Sequence, residues 1–364
     1  MKKKVFLVLF IILASILGSW FYFNFLPEEP EFASKLDQLM DASMQKYQSP
    51  GMTMGVWVPG KGAFVKAKGL ADISAKQKMK TDYKFRIGSL TKTFTATVVL
   101  QLVDEGKLSL DDPVSKFDPF AGSQNITIRQ LLNMTSGLYN YTELEWLYNG
   151  FLKNRNKYYA PEYLLDSGLD HKPYFRPGKG FHYSNTNYIL LGLIIEKVTG
   201  NRLQDEYENR IIKKLGLKNT YYPTENTIRG KYSHGYMLED EKLVDWTDQN
   251  ISWGWAAGGL ISNMYDMKEY IKAISDDGFL SPAMQQLRLI DWVAMSAKAK
   301  DFEYGLGVFT YKGFVGHNGG LPGFINLAMY NPKTGATILF MLNTQPQDED
   351  ATLEILKKVV AIIG

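Results

Sequence analysis

Short β-rich runs stand near both ends of this 364-residue chain, and a long, mainly helical stretch separates them. Strands so far apart in sequence bury their apolar faces by sharing one sheet, so the ends must meet and the middle must loop out. Near the start, Gly51–Val58 and Ala63–Lys68 flank Pro59-Gly60-Lys61-Gly62, a hairpin signal. Strand patterns return at Tyr304–Tyr311, Phe314–His317, Phe324–Tyr330 and Thr337–Asn343. Helices bracket them. Phe32, Leu36, Leu39, Met40, Met44 and Tyr47 recur at helical spacing over 31–47. Asp348-Glu349-Asp350 suit the start of a last helix, whose apolar face is Leu353, Leu356, Val360 and Ile363. Between the strand groups, Thr93–Glu105 and Asn187–Thr199 read as helices stopped by Gly106 and Gly200. The predicted fold class is α+β: an antiparallel sheet flanked by N- and C-terminal helices, with an inserted helical region over about 94–240.

The N-terminus carries a separate message. Lys2, Lys3 and Lys4 precede an uncharged run, of which Val5–Leu26 makes up 22 residues. That is about the 20 needed to cross a bilayer as a helix, and longer than the ~7–15 of a signal-peptide core. The small residues from Ala14 to Ser19 form no good A-x-A cleavage site. Residues 1–27 therefore read as an uncleaved signal-anchor, with a cleaved signal peptide and secretion as the alternative. Positive charge stays cytoplasmic, which puts residues 28–364 outside the cell on a single-pass anchor in the cell membrane. Residues 28–34, beginning Glu28-Glu29-Pro30, read as a short linker.

Charge and composition exclude several functions. The chain has 41 Lys and Arg against 38 Asp and Glu, and the surplus is Lys2–Lys4. The rest is neutral and exerts no strong pull on nucleic acid. Cys is absent, which removes thiolate nucleophiles, thiolate metal sites and disulfides. The four His residues are 171, 182, 234 and 317, none within a turn of another. No metal site and no cofactor is expected from this set.

Phe85-Arg86-Ile87-Gly88-Ser89-Leu90-Thr91-Lys92 contains S-x-x-K. At a helix start, positions i and i+3 share a face, so the Lys92 amine reaches the Ser89 hydroxyl. A partly desolvated Lys can be neutral enough to act as its base. The helix N-terminus favours negative charge developing there. Taken alone, S-x-x-K is equally the pattern of an N-capping Ser with a solvated Lys. The rival nucleophile elbow G-x-S-x-G is absent. A second element, Tyr183-Ser184-Asn185, lies in a loop leading into a helix. A third, His317-Asn318-Gly319-Gly320, closes a strand, and its Gly pair allows substrate to approach the backbone. Lys333-Thr334-Gly335 spells a K-T-G triad but sits in Asn331-Pro332-Lys333-Thr334-Gly335, which is turn chemistry.

Ser89-x-x-Lys92, Tyr183-x-Asn185 and His317-x-Gly319, in that order, resemble the serine β-lactamase and DD-peptidase superfamily. The likeness is nearer to class C β-lactamases and the related serine DD-carboxypeptidases. It covers roughly residues 35–345, with Thr135-Ser136-Gly137-Leu138 and Ala257-Gly258-Gly259-Leu260 as supporting runs. The resemblance implies a β-lactamase/transpeptidase-like catalytic domain over 35–345, with 346–364 its C-terminal helix. It implies that Ser89 is acylated, that Lys92 activates it, and that Tyr183 passes a proton to the leaving group. Asn185 would hold the acyl amide. His317 would take the place that Lys often fills, positioning Tyr183 and polarising the site. Backbone N–H groups of Ser89 and Gly320 would form the oxyanion hole. Trp253, in Ser252-Trp253-Gly254-Trp255, falls where such carboxypeptidases place an aromatic wall; plain core packing is the alternative.

Two departures bear on substrate. Tyr304-Gly305-Leu306-Gly307-Val308 is followed by Phe309 where the carboxypeptidases carry Arg, and Asn318 and Gly320 replace the Thr residues of H-T-G-T. Both changes remove groups that grip a terminal carboxylate. Arg288 and Lys312 are the basic candidates to replace that grip from a loop. The expected activity is an acyl-enzyme serine hydrolase of cell-envelope D-amino-acid peptides or esters. The expected partners are cell-wall or teichoic-acid material, with β-lactams as candidate ligands. A teichoic-acid D-alanyl esterase is the enzyme alternative, and a penicillin-binding sensor without turnover is the alternative of another class.

Overall fold

A computed structural model describes residues 30–276, 278–296, 301–346 and 351–364. Helix α1 (Ala33–Lys46) leads into the hairpin β1 (Gly51–Val58) and β2 (Gly62–Asp72), followed by the short β3 (Gln77–Lys78). The later strands are β4 (Val293–Ala294), β5 (Phe302–Tyr304), β6 (Phe309–Tyr311), β7 (Phe314–Leu321), β8 (Phe324–Tyr330) and β9 (Thr337–Leu342). They form one nine-stranded sheet in the order 3-2-1-9-8-7-6-5-4, with all neighbours antiparallel. The two ends of the chain meet where β1 pairs β9, from Met52 opposite Leu342 to Trp57 opposite Thr337.

All seven residues of β8 and all six of β9 are buried. A strand covered on both faces needs apolar residues at every position, and Phe324-Ile325-Asn326-Leu327-Ala328-Met329-Tyr330 comes close to that. Strand β2 is paired by the outermost β3 only at Leu70 and Asp72; its uncovered earlier part includes Lys66 and Lys68, which blunt that open edge. Helix α1 packs on the C-terminal helix Ala351–Ile363, and the latter and helix Met264–Ser275 both pack on β8.

The inserted region supplies two helices that matter for the site, α2 (Thr91–Asp104) and α3 (Asn185–Thr199). Both are buried on nearly every side, so their Leu, Ile and Val residues spread around the axis. Gly200 ends α3 at φ +71°, a conformation that Gly adopts without steric penalty.

The expected strand 304–311 is in fact two. Gly305 donates its N–H to Val308 O at 2.8 Å, and Gly307 has φ +81°, so the chain reverses between β5 and β6. Strand β7 runs on to Leu321, past the expected end at His317. The proposed acidic start of the last helix, 348–350, lies outside the described residues, as do Val5–Leu26. Among the described residues, no helix is long and apolar enough to cross a membrane.

Candidate active site

Ser89 sits in a single 3-10 turn, Gly88–Leu90, that feeds directly into α2. Lys92 lies three residues on, and its Nζ is 3.0 Å from Ser89 Oγ. The same amine reaches Asn185 Oδ1 at 2.7 Å and the Ala257 carbonyl at 2.7 Å. An ammonium has three donors, and these three acceptors use them all. Lys92 is fully buried without a carboxylate partner among the described residues, and burial pushes its amine well below the ordinary lysine range. Once neutral, Nζ offers a lone pair to the Ser89 hydroxyl.

Asn185 opens α3 and ties the lysine to a neighbouring loop. Its Nδ2 donates to Thr142 Oγ1 at 2.9 Å and Asn140 Oδ1 at 3.3 Å. Tyr183 closes the other side, with Lys92 Nζ 4.9 Å from its ring centre. The buried Tyr183 hydroxyl faces Ser89 without a well-formed hydrogen bond among the described residues. Burial drives its phenol far above the usual range, and the nearby Ser89 hydroxyl pulls it partly back. The site thus pairs an amine disposed to be neutral with a phenol disposed to stay protonated, the division of labour expected of a base and an acid.

The strand β7 presses its end against the serine turn. A Cβ on Gly88 would lie 2.9 Å from Gly320 N, and one on Gly319 would overlap the Ile87 carbonyl oxygen. Only glycines allow this approach. Space opposite Gly320 is open. Ser89, Tyr183, Asn185, Trp253 and Gly320 line one cleft of about 560 Å³.

The other expected site residues lie behind that cleft. His317 is buried, with Nδ1 2.5 Å from the Asn318 carbonyl and Nε2 2.9 Å from the Tyr304 hydroxyl. Burial, then the nearby Lys92 charge, holds its imidazole down to about 3. It is therefore neutral and does not polarise the site as a cation. Asn318 turns to Thr352 Oγ1 at 2.8 Å. Phe309 is 2% exposed and packs its ring on His317, 5.7 Å away. It does not line the cleft, because the turn at 305–308 carries β6 away from the mouth. Arg288 is buried and donates to Thr97 Oγ1 at 3.0 Å, and Lys312 lies over Tyr311, so neither reaches the cleft. Trp253 lines the cleft and packs on Phe151 at 5.2 Å, so it is both wall and packing.

One acidic residue of the cleft escaped the sequence reading. Glu143 takes hydrogen bonds from Tyr174 at 2.6 Å and Asn140 at 3.2 Å, and pairs with His182 at 3.0 Å. Burial works to raise its carboxyl, but the bonds from Tyr174, His182 and Asn140 bring it below the usual range. Among the described residues it is the acid lining the cleft, and no Lys or Arg lines it. The run Tyr139-Asn140-Tyr141-Thr142-Glu143, directly after Ser136-Gly137-Leu138, was its only signal.

A serine-bearing turn, a buried lysine and a tyrosine–asparagine pair beside an antiparallel sheet define a β-lactamase/transpeptidase-like fold and site, that of a serine hydrolase-like family. The Beta-lactamase family model matches residues 36–361, so the chain belongs to that family. Protein flp of Staphylococcus aureus (strain N315) is 29% identical over 85% of this chain. The chain spans 63% of the length of that relative. Penicillin-binding protein 4* of Bacillus subtilis is 27% identical over 81% of this chain and 68% of its own. Among solved structures, a D-stereospecific amidohydrolase from Streptomyces sp. superposes with a TM-score of 0.79 at 32% identity, covering 87% of this chain and 97% of its own. The D-amino acid amidase of Ochrobactrum anthropi SV3, complexed with L-phenylalanine amide, gives 0.78 at 25% identity, over 90% and 98%.

Proposed function

We propose that the chain is an acyl-enzyme hydrolase of cell-envelope D-amino-acid amides, peptides or esters, with Ser89 as nucleophile, Lys92 as its base and Tyr183 as proton carrier. The observation that carries this reading is the 3.0 Å contact of a buried, carboxylate-free lysine amine with the Ser89 hydroxyl. Ser89 Oγ attacks the substrate carbonyl carbon and its proton passes to Lys92 Nζ. The oxyanion lies between the N–H groups of Ser89 and Gly320. The loss of such a donor typically lowers the rate by about 10²–10³. Tyr183 protonates the leaving nitrogen or oxygen and recovers its proton from Lys92, and water then attacks the acyl-serine by the reverse sequence. Asn185 holds Lys92 and the acyl amide. His317, Asn318 and Gly319 shape the strand that the substrate lies along, and Trp253 walls its side chain. The names of the relatives, an amidohydrolase and amidase of D-compounds and a penicillin-binding protein, support the substrate class. β-Lactams are candidate acylating ligands on the same ground.

Glu143 sharpens the choice of leaving group. A cleft whose charged lining is acidic repels a substrate carboxylate and suits a neutral or ammonium-bearing one. We therefore place esters and amides above carboxylate-ended D-Ala-D-Ala peptides. Val5–Leu26 would hold the catalytic domain, from residue 35 on, outside the cell membrane.

Ser89→Ala tests the core of the reading. It should abolish both turnover of a chromogenic ester and covalent labelling by a fluorophosphonate, and normal labelling would sink it. Burst acylation of the unaltered protein with no steady turnover would favour the sensor reading. Release of D-Ala from a D-Ala-D-Ala peptide as fast as ester turnover would remove the role given to Glu143.

A further inference from the structure

Tyr304 belongs to no motif that carries the chemistry, yet its hydroxyl sits at the centre of a buried polar cluster. It is 1% exposed, with its oxygen 2.9 Å from His317 Nε2. Its ring stands edge-on to Tyr183 at 6.1 Å and to His317 at 5.6 Å.

The proton positions follow from what each partner can do. The Asn318 carbonyl only accepts, so His317 Nδ1 must carry the hydrogen of their 2.5 Å bond. In a neutral ring, Nε2 then holds a lone pair and needs a donor. Tyr188, whose hydroxyl also lies within hydrogen-bond reach of Tyr304, gives its own hydrogen to the Leu132 carbonyl at 3.1 Å, so it supplies none to this cluster. Among the described residues Tyr304 is then the donor within reach of Nε2, and its hydrogen is assigned to that bond. The charged or titratable groups facing this ring are Lys92 on α2, Tyr183 on the loop before α3, Tyr188 on α3 and Tyr304 on β5. None is a carboxylate that would hold an imidazolium.

We propose that Tyr304 is a positioning residue: its hydroxyl donates to His317 Nε2 and fixes the imidazole as the neutral Nδ1–H tautomer beside Lys92 and Tyr183. Two consequences follow. His317 adds no positive charge beside Ser89, so of the two it is Lys92 that can carry one there. The ring is also pinned at both nitrogens, which fixes the surface on which Tyr183 rests. This role presupposes the acyl-enzyme reading of Ser89, Lys92 and Tyr183, but the hydrogen-bond pattern does not.

Nitrogen NMR of the full chain labelled with ¹⁵N-histidine reads the tautomer directly, with His317→Gln to identify the signal. The expected result is a protonated Nδ1 and an unprotonated Nε2, unchanged down to pH 5. An Nε2–H tautomer or an imidazolium at pH 7 would overturn the proposal without needing any variant. Tyr304→Phe should shift the Nε2 resonance and slow fluorophosphonate labelling about tenfold, the loss of one buried hydrogen bond. Slower labelling with unchanged nitrogen signals would make Tyr304 merely structural and overturn the proposal. An unaltered protein that is never labelled would defeat the acyl-enzyme reading, while the tautomer measurement still judges this one.

Discussion

Two segments of this chain spell similar words and sit in opposite surroundings. His317-Asn318-Gly319-Gly320 ends a buried strand that touches the serine turn, whereas Lys333-Thr334-Gly335 joins β8 to β9. In the second segment, Asn331 Oδ1 accepts the N–H of Lys333 at 3.0 Å and of Thr334 at 3.2 Å, and Asn331 N donates to the Ala336 carbonyl. That is a turn satisfied by its own side chain. It faces Pro59 of the β1–β2 hairpin, at the end of the sheet away from Ser89. A motif of three common residues acquires chemistry from what it is pressed against. Gly319 earns its place by the Ile87 and Ser89 backbone atoms around it, and Gly335 by a φ of +72° in a turn.

Substitutions can pull the two regions further apart. The largest effect should come from the lysine that β7 helps to enclose. Lys92→Met should remove acylation by several powers of ten, measured as the rate of fluorophosphonate labelling. In the unaltered protein that rate should rise with pH as the depressed Lys92 amine loses its proton, then level off. The same burial affects stability. Below the unfolded lysine value of 10.5 and above the lowered native one, the unfolded chain binds the extra proton, so stability rises with pH through that window. Lys92→Met removes this slope, and its melting temperature at pH 7 should equal or exceed that of the parent, with a gain of about 0.5–2 kcal/mol. A lower melting temperature would show that the three hydrogen bonds of Lys92 outweigh its desolvation.

Gly319→Ala comes next. Its Cβ has no room beside the Ile87 carbonyl oxygen, so β7 must back away from Ser89. A shift of about 1 Å at a reacting group lowers the rate by roughly 10², which ester kinetics would read. In the other region, Gly335→Ala should leave those kinetics unchanged and lose about 1 kcal/mol or more in denaturant unfolding, from the left-handed backbone and a tight Cβ contact with Pro59 at 3.0 Å. Lys333→Ala should be the mildest, within ~0.5 kcal/mol of the parent and with normal turnover. Impaired turnover in Lys333→Ala with normal turnover in Gly319→Ala would invert the comparison and move the third motif to 333–335.

The elements of the site that could be read from the chain are those bound by local geometry. Ser89 and Lys92 are one helical turn apart, and no distant residue is needed to put them on one face. Asn185 opens a helix whose Gly200 stop is plain in the sequence. The hairpin at 59–62 and the strands 324–330 and 337–342 follow from period and turn residues. Phe309 shows where this ends. In a single strand from 304 to 311 it is read as replacing an arginine aimed at substrate. The reversal at Gly305–Val308 instead pairs it with Gly316 and buries it on His317.

The alternation of apolar residues, the turn chemistry and the i, i+3 spacing are properties of neighbours along the chain, and they determined the α+β class and the meeting of Ser89 with Lys92. Which end of the sheet holds the site was decided by the antiparallel closure of β1 on β9, a pairing across some 280 residues. The charge state of His317 was decided by burial and by two hydrogen-bond partners. The acidity of the cleft was decided by Glu143, held by Tyr174 and His182 from a later loop. Solvent exclusion and electrostatic fields depend on distance through space, and only the folded chain sets those distances.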